Sequence, residues 1–457
     1  VLYRRLGMKK TDVLVIGGSA AGLVAALTGK SHYPEKDFTM IRKEKTVVVP
    51  CGIPYIFGSL ESSDQNVIPD TGLEKAGVNL IIGEVTQIDP DGKICLLADG
   101  EQVAYEKLVL AIGSHPVIPK WLKGSDLENV FTVPKDKEYL DLVMDKLQDK
   151  NRIVVIGGGF IGVELSDELN KRGKEVTIVE ILPHVLGAVF DEELALKAQE
   201  ILIDRGVKVE VGAGVKELCG NGEVTSVLLQ NGTEVEADAV ILSMGYKPNV
   251  ELAEKSGIDT NKLGFIKVDQ YMRTRTPDIF AIGDCAEKRD FITNKVIGAM
   301  LASTACAEAR VTGMNLYKLE AVRTFTGTIS NFATAFGEHS FGVAGVTEDT
   351  ARAEGFDIIT ASFEGIDHHP GKLEGTHKQI VKLVVAKDSG LILGGAVYGS
   401  RSAGEIVNVI GLAIQNRMTV SSLLTMQIGT HPLLTGPPTA YPLIKAAEMA
   451  LRKIRDN

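Results

Sequence analysis

Cysteine is scarce in this chain of 457 residues. There are five, none spaced as Cys-x-x-Cys. That excludes a disulfide scaffold or a cysteine-built zinc site; no metal is expected, and a reducing, cytoplasmic compartment fits best. Long apolar runs are missing too, since none reaches the roughly 18–20 residues that a bilayer crossing needs. Nor is there an excess of positive charge. Lys and Arg total 49 against 59 Asp and Glu, a net charge of −10, which argues against nucleic acid or an anionic membrane as the main partner. The stretch Val1 to Lys10 is basic but lacks the apolar centre of a signal peptide. It reads as a frayed extension, with Met8 a candidate natural start.

What remains is the composition of a globular protein, 44% hydrophobic and 24% charged, long enough for roughly three domains. Its most telling feature is a duplicated glycine signature. The first copy runs Val13-Leu14-Val15-Ile16 into Gly17-Gly18-Ser19-Ala20-Ala21-Gly22. The second runs Ile153-Val154-Val155-Ile156 into Gly157-Gly158-Gly159-Phe160-Ile161-Gly162. Each is a buried-strand run that stops at glycines and continues as an apolar helix, the arrangement that aims helix N–H groups at a pyrophosphate. One such motif is weak, because glycines also mark ordinary turns. Two of them imply two dinucleotides, most simply a flavin and a nicotinamide. Cys51 follows the first unit by about thirty residues, which suggests electrons passing from nicotinamide to flavin to sulfur.

The expected fold class is α/β: two Rossmann-like dinucleotide-binding domains followed by an α+β domain. Residues 8–119 and 250–322 form the first, 120–249 the second and 323–457 the third. Within the first, Phe38-Thr39-Met40-Ile41 follows the crossover helix. Hairpin-like segments are expected at Leu80–Val85 and Lys93–Leu97, with Asp99-Gly100 as the turn signal. Leu108–Ser114 is a closing strand, and Ile118 to Pro134 reads as a linker. Val240–Gly245 echoes the strand that stops at Gly113, and this repetition is itself evidence for two related domains. The tail carries alternating segments such as Gln379–Val385 and a turn, Gly436-Pro437-Pro438.

At these residues the chain resembles the pyridine nucleotide–disulfide oxidoreductases, which are FAD flavoproteins, over nearly its whole length. Pro50-Cys51-Gly52-Ile53-Pro54-Tyr55 is similar to their single-cysteine class, which holds coenzyme A disulfide reductases, persulfide or polysulfide reductases and NADH oxidases. The two-cysteine classes need a second sulfur a few residues on, and Gly52 to Phe57 contains none. The resemblance implies a homodimer with each active site completed across the dimer. It implies FAD contacts at Val85, Ala111, Gly113, Gly283, Asp284 and Ala302, with Asp284 accepting from the ribityl hydroxyls, although an aspartate there is also a good helix cap. It places Glu164 and Gly245 near the nicotinamide.

Read from the residues themselves, Cys51 precedes a probable helix whose first turn holds Pro54. A thiolate there gains from the helix dipole, which would lower its pKa. Cys95, Cys219, Cys285 and Cys306 lack such company and read as structural. Glu180 ends the second strand of the second unit, where a carboxylate accepts from an adenosine 2′-OH and repels a 2′-phosphate, so NADH is expected ahead of NADPH. Glu164 is expected in the first turn of its helix, where the plainer role is to complement the dipole.

Several positions depart from the family pattern. Ser19 replaces a glycine, which a small residue at negative φ allows. Arg42 stands where the ribose-binding acid belongs, with Glu44 two residues later as a substitute. Thr28-Gly29-Lys30-Ser31-His32 offers a cation for coenzyme A phosphates, though not the family's arginine. His368-His369-Pro370-Gly371 replaces a tyrosine pair. In Thr430-His431-Pro432-Leu433-Leu434-Thr435-Gly436 a glycine takes the place of the glutamate that would pair with His431. His368, His369 and His431 are therefore candidate proton donors. The expected activity is reduction of a small disulfide, persulfide or polysulfide, coenzyme A derivatives among them, by NAD(P)H through FAD and Cys51. An oxygen-reducing NADH oxidase and a low-turnover flavin redox sensor remain the alternatives.

Overall fold

Two parallel sheets built on the same plan carry the two glycine signatures. A computed structural model of the chain describes residues 8–319 and 324–456. Of the expected frayed extension Val1–Lys10, residues 1–7 lie outside them, as does the boundary at 322/323; Lys9–Lys10 is not frayed but pairs in parallel with Val103–Ala104, whose backbone groups hold it to the small antiparallel layer. In the first sheet the strand order is Ile279–Ala281, Lys107–Leu110, Val13–Ile16, Phe38–Arg42, Asn79–Ile82. In the second it is Val130–Thr132, Ala239–Leu242, Arg152–Ile156, Glu175–Glu180, Lys208–Val211. Every pair within both sheets is parallel. The signature strand is central in each, and Val13–Ile16 and Ile153–Ile156 are buried throughout, as an unbroken apolar run covered on both faces requires.

Helix Ala20–His32 lies against helix Ala302–Met314, so the chain returns to the first unit after completing the second. The two helices meet at small residues. A Cβ added at Gly313 would stand 2.9 Å from both the Gly29 nitrogen and the Thr28 Cβ. Between the units, Ser114–Pro116 on the way out pairs antiparallel with Tyr246–Pro248 on the way back.

The C-terminal unit is a five-stranded antiparallel sheet ordered Phe332–Phe336, His339–Gly345, Ile392–Gly399, Lys378–Ala386, Ile358–Ile366. Helices Ala403–Gln415 and Pro442–Asp456 bury Ile406, Ile410, Leu443 and Ala447 against it. Among the described residues no helix is long and apolar enough to cross a membrane.

Two expectations about local structure change. The segment 80–85 is not one arm of a hairpin. It divides at Gly83, where Asn79–Ile82 ends the parallel sheet and Val85–Asp89 begins an antiparallel layer with Ile94–Leu97. The Asp99-Gly100 turn joins Ile94–Leu97 to Gln102–Ala104 instead. The supposed linker 118–134 contributes Val130–Thr132 as an edge strand of the second sheet, with Phe131 buried. Three residues are too short for a periodic signal.

The helix crossing yields a stability prediction. Gly313→Val forces the helices apart, and overpacking of this kind costs about 1–3 kcal/mol. The expected result is a lower melting temperature together with earlier release of flavin, read by fluorescence in one thermal scan. An unchanged melting curve would show that the crossing tolerates the added volume.

Candidate functional site

Close backbone approach fixes both glycine turns. Gly17 (φ +106°) and Gly157 (φ +108°) hold left-handed conformations. A Cβ on either would fall inside 3 Å of the carbonyl oxygen of Ala111 or Ser243, the residues that follow the adjacent strands. Gly22 and Gly162 pack on the carbonyls of Gly17 and Gly157 in the same way. Ser19 sits at φ −79°, like its counterpart Gly159 at −75°, so a side chain costs nothing there. Ala20 and Phe160 open the two helices. Both turns thus form the backbone cradle that a dinucleotide pyrophosphate needs.

Beneath the second glycine of each turn lies the residue that ends the neighbouring strand. Under Gly158 this is Glu180, whose Oε2 accepts from Gly158 N at 2.6 Å and whose Oε1 accepts from Leu182 N at 2.8 Å. Under Gly18 it is Arg42, with 2% side-chain exposure. Its guanidinium grips Asp70 through two bonds of 2.6 and 2.8 Å and donates to the carbonyls of Glu44 and Lys45. Arg42 is therefore a clamp on its own loop. Among the described residues the carboxylate of Glu44 has one charged neighbour, Lys43 at 4.0 Å.

Cys51 lies on a short 3-10 helix, Pro50–Phe57, and is exposed. Pro50, not Pro54, opens the element; Pro54 lies inside it. The thiol is pushed up from its ordinary pKa, first by desolvation among the surrounding protein atoms and then by Glu164, with Lys135 pulling the other way and Asp284 and Cys306 adding to the rise. The expected depression is thus overturned. The short 3-10 turn spends backbone donors on itself, Gly52 N bonding Val49 O at 3.0 Å, and nearby carboxylates outweigh the one lysine.

Asp284, at the strand end with Gly283 (φ +73°), accepts from Ser114 Oγ at 2.7 Å and from Lys135 Nζ at 2.6 Å. Burial pushes its carboxyl up, but Lys135 and Ser114 bring it below the usual range. Gly283 is itself held by a buried pair. Its N–H donates to Glu308 Oε2 at 2.7 Å and its carbonyl accepts from Lys288 Nζ. Gly113 (φ +69°) and Gly245 (φ +92°) end equivalent strands, Val85 starts the antiparallel layer and Ala302 starts the returning helix.

Glu164 is not in the first turn of its helix, which begins at Phe160 and has no acid there. It faces the C-terminal unit, accepting from Thr334 Oγ1 at 2.8 Å. Desolvation pushes it up to about 7, with Thr334 opposing and neighbouring Glu168 adding to the rise. Phe160 stacks on Phe332 at 5.1 Å, so it too joins the helix start to the C-terminal sheet.

The histidines divide. His368 Nδ1 meets Asp367 Oδ1 at 2.8 Å, and that buried aspartate also accepts from Ser400 Oγ and His377 N. His369 Nδ1 is taken by the Thr435 carbonyl at 2.9 Å, and exposed His431 accepts from Leu433 N at 3.3 Å. The titratable groups with the largest effect on Cys51 are Glu164, Lys135, Asp284 and Cys306, and none of the three histidines is among them. Lys30 gives two of its donors to the carbonyls of Pro34 and Lys36, closing its own turn.

Residues 11–309 match the family model for pyridine nucleotide-disulphide oxidoreductase, and residues 332–440 match that family's dimerisation domain. The chain belongs to the pyridine nucleotide-disulphide oxidoreductases. It is 30% identical to an NADH oxidase of Methanocaldococcus jannaschii, over 97% of this chain and 99% of that one. It is 33% identical to an NAD(P)H coenzyme A polysulfide/persulfide reductase of Pyrococcus horikoshii, over 86% and 88%. Among solved structures, an NAD-dependent persulfide reductase from A. fulgidus superposes with a TM-score of 0.90 at 30% identity, covering 97% of this chain and 84% of that one. Membership makes the protein an oxidoreductase that uses FAD and NAD(P)H, and the two glycine cradles fit those groups.

Sequence reasoning did not find Lys135, Ser114, Thr334, Glu168 or the Lys288–Glu308 pair. None lies in a motif, and only folding brings each to its partner.

Glu180 generates a prediction. Burying a 2′-phosphate against its carboxylate costs on the order of 1–3 kcal/mol, so kcat/KM for NADH exceeds that for NADPH by about 5- to 150-fold. Steady-state kinetics with both coenzymes, on wild type and Glu180→Ala, measure this. Equal use of the two by wild type would remove Glu180 as the discriminator.

Proposed function

We propose that the protein reduces low-molecular-weight persulfides, polysulfides or disulfides with NAD(P)H, NADH first, and that it works as a homodimer. One observation carries this: Cys51 is exposed, without a second cysteine on its helix, and its thiol feels Glu164, Lys135 and Asp284. The five cysteines are all unpaired, in keeping with a cytoplasmic setting.

In this reading Gly17, Gly18, Ser19 and Gly22 hold the FAD pyrophosphate, with Asp284 turned towards the ribityl chain. Gly157, Gly159, Gly162 and Glu180 hold the nicotinamide coenzyme. The Cys51 thiolate attacks one sulfur of the substrate; the new S–S bond forms as the old one breaks, and the leaving sulfur takes a proton. FAD, when bound, supplies the two-electron chemistry that returns Cys51 to a thiol. Because Lys30 is engaged by its own turn, a small persulfide or polysulfide suits the site better than a coenzyme A disulfide. The resemblance to NADH oxidases keeps oxygen as the competing acceptor. Turnover with coenzyme A disulfide, coenzyme A persulfide, polysulfide and oxygen, measured side by side, decides among them, and oxygen as the fastest acceptor would overturn the sulfur reading.

Cys51→Ser should abolish sulfur reduction while FAD stays bound and NADH still bleaches it in a stopped-flow trace. Substantial persulfide turnover by this variant would refute nucleophilic catalysis by Cys51.

Of the three histidines, His368 is the proposed proton donor to the leaving sulfur. Asp367 holds its Nδ1, a pairing that stands in for the one Gly436 cannot make with His431, and among the described residues Nε2 has no hydrogen-bond partner. The pH–rate profile of the sulfur half-reaction should lose the limb of its proton donor in His368→Ala, and keep it in His369→Ala and His431→Ala. Retention of the limb in His368→Ala would assign the proton elsewhere.

A further inference from the structure

A buried charge pair calls for a reason, because exchanging one for apolar residues of similar volume is often neutral or stabilising. Lys288 and Glu308 have side-chain exposures of 1% and 0% and stand 3.5 Å apart. Their hydrogen bonds go to one turn. Glu308 Oε2 accepts from Gly283 N at 2.7 Å, while Lys288 Nζ donates to the carbonyl of Gly283 and, at 3.1 Å, to that of Ala286. Glu308 Oε1 is buried without a hydrogen-bond partner among the described residues, as is Thr312 Oγ1 one turn along the same helix. Burial pushes the Glu308 carboxyl up to about 7, with Lys288 and the Gly283 N–H opposing. Stability by itself does not account for a pair so incompletely satisfied.

The turn that the pair grips joins two parts of the first cradle. Gly283 is left-handed at φ +73°, and a Cβ there would stand 3.0 Å from the Cβ of Ala21, in the first turn of helix Ala20–His32. Asp284 follows directly. Its side chain is held by Ser114 and Lys135, and its backbone belongs to the gripped turn Gly283–Cys285. Glu308 reaches that turn from helix Ala302–Met314, which lies against Ala20–His32. Two charges shielded from solvent therefore fix how the Asp284 carboxylate sits relative to the glycine turn.

We propose that Lys288 and Glu308 are positioning residues for FAD, holding the N–H and the carbonyl of Gly283 so that Asp284 stays in fixed register with the pyrophosphate cradle. Both act through the Gly283 backbone. The inference rests on the reading of Asp284 as the ribityl contact. A cofactor gripped at its pyrophosphate and again at its ribityl chain loses affinity when one grip can shift against the other, since the ordering must then be supplied on binding.

The test is the rate of FAD release from diluted holoenzyme well below its melting temperature, followed by recovery of flavin fluorescence. Single substitutions strand a buried charge, so the pair is replaced in two ways that strand none. Lys288→Met with Glu308→Leu removes both side-chain grips on the turn. Lys288→Met with Glu308→Gln keeps an amide oxygen for the Gly283 N–H. The first should release FAD about tenfold faster than wild type, as expected for losing hydrogen bonds to charged groups, and the second should fall between. The visible circular dichroism of the bound flavin should change in the same order. Gly313→Val, which loosens the same helix without touching the turn, controls for lost stability and should keep the wild-type rate and spectrum. Release from the Met/Leu variant no faster than from wild type or from Gly313→Val would overturn the proposal, and equal release by the two paired variants would overturn the grip on the Gly283 N–H. Asp284→Ala tests the underlying reading separately. Unchanged release there refutes the ribityl contact, whereas faster release there with wild-type release in the paired variants refutes the positioning role alone.

Discussion

A carbonyl oxygen leaning over a glycine governs this molecule. Ala111 O stands where a side chain at Gly17 would have to be, and Ser243 O does the same at Gly157. The constraint ties three elements together in each unit: the closing strand, the signature strand and the helix that leaves it. Once the turn is forced to positive φ, the helix N-terminus points along the strand ends, and everything that contacts a dinucleotide is arranged around that axis. The constraint also explains why the units look alike despite little shared sequence outside the turns. Gly22 and Gly162, the third residues of the helices, make the same kind of contact with the carbonyls of Gly17 and Gly157.

The same geometry gives each unit one seat beneath its second glycine, and the two seats are filled by opposite charges. Glu180 in the second unit turns one oxygen to the turn's own N–H and leaves the rim negative. Arg42 in the first unit spends its fork on Asp70 and on two carbonyls of the following loop. A bidentate guanidinium–carboxylate pair fixes geometry as well as charge, so the loop leading towards Cys51 is anchored at the cradle.

Much of this was legible in the sequence because backbone constraints leave residue signatures. Gly17, Gly157, Gly113 and Gly245 announce positive φ, and Val13–Ile16 and Ile153–Ile156 announce doubly covered strands. The split at Gly83 was not legible, because one apolar run served both a parallel strand and the start of an antiparallel one. Polar partnerships were hidden for a different reason. Ser59 with Glu168, Thr334 with Glu164, and Lys135 with Asp284 join residues 109, 170 and 149 positions apart, and hydrogen bonds between such residues have no period. The Lys288–Glu308 pair looks in the sequence like two surface charges and is buried only because helix Ala302–Met314 returns under Gly283.

The charge around Cys51 bears on which half of sulfur exchange the site favours. A thiol held above its ordinary pKa forms less thiolate, yet each thiolate is a stronger nucleophile, since nucleophilicity falls with pKa by a Brønsted slope of about 0.4–0.5. The same elevation makes Cys51 a poor leaving group, so a mixed disulfide or persulfide formed on it does not simply reverse. A two-cysteine site removes such an intermediate with its second thiol. With no cysteine from Gly52 to Phe57, this site must instead hold the sulfur adduct until electrons arrive. Lys135 pulls against the carboxylates and itself bonds Asp284, so the thiol's acidity is tied to Asp284, the residue we propose for the flavin chain. On that proposal the same few charges set cofactor contact and sulfur chemistry.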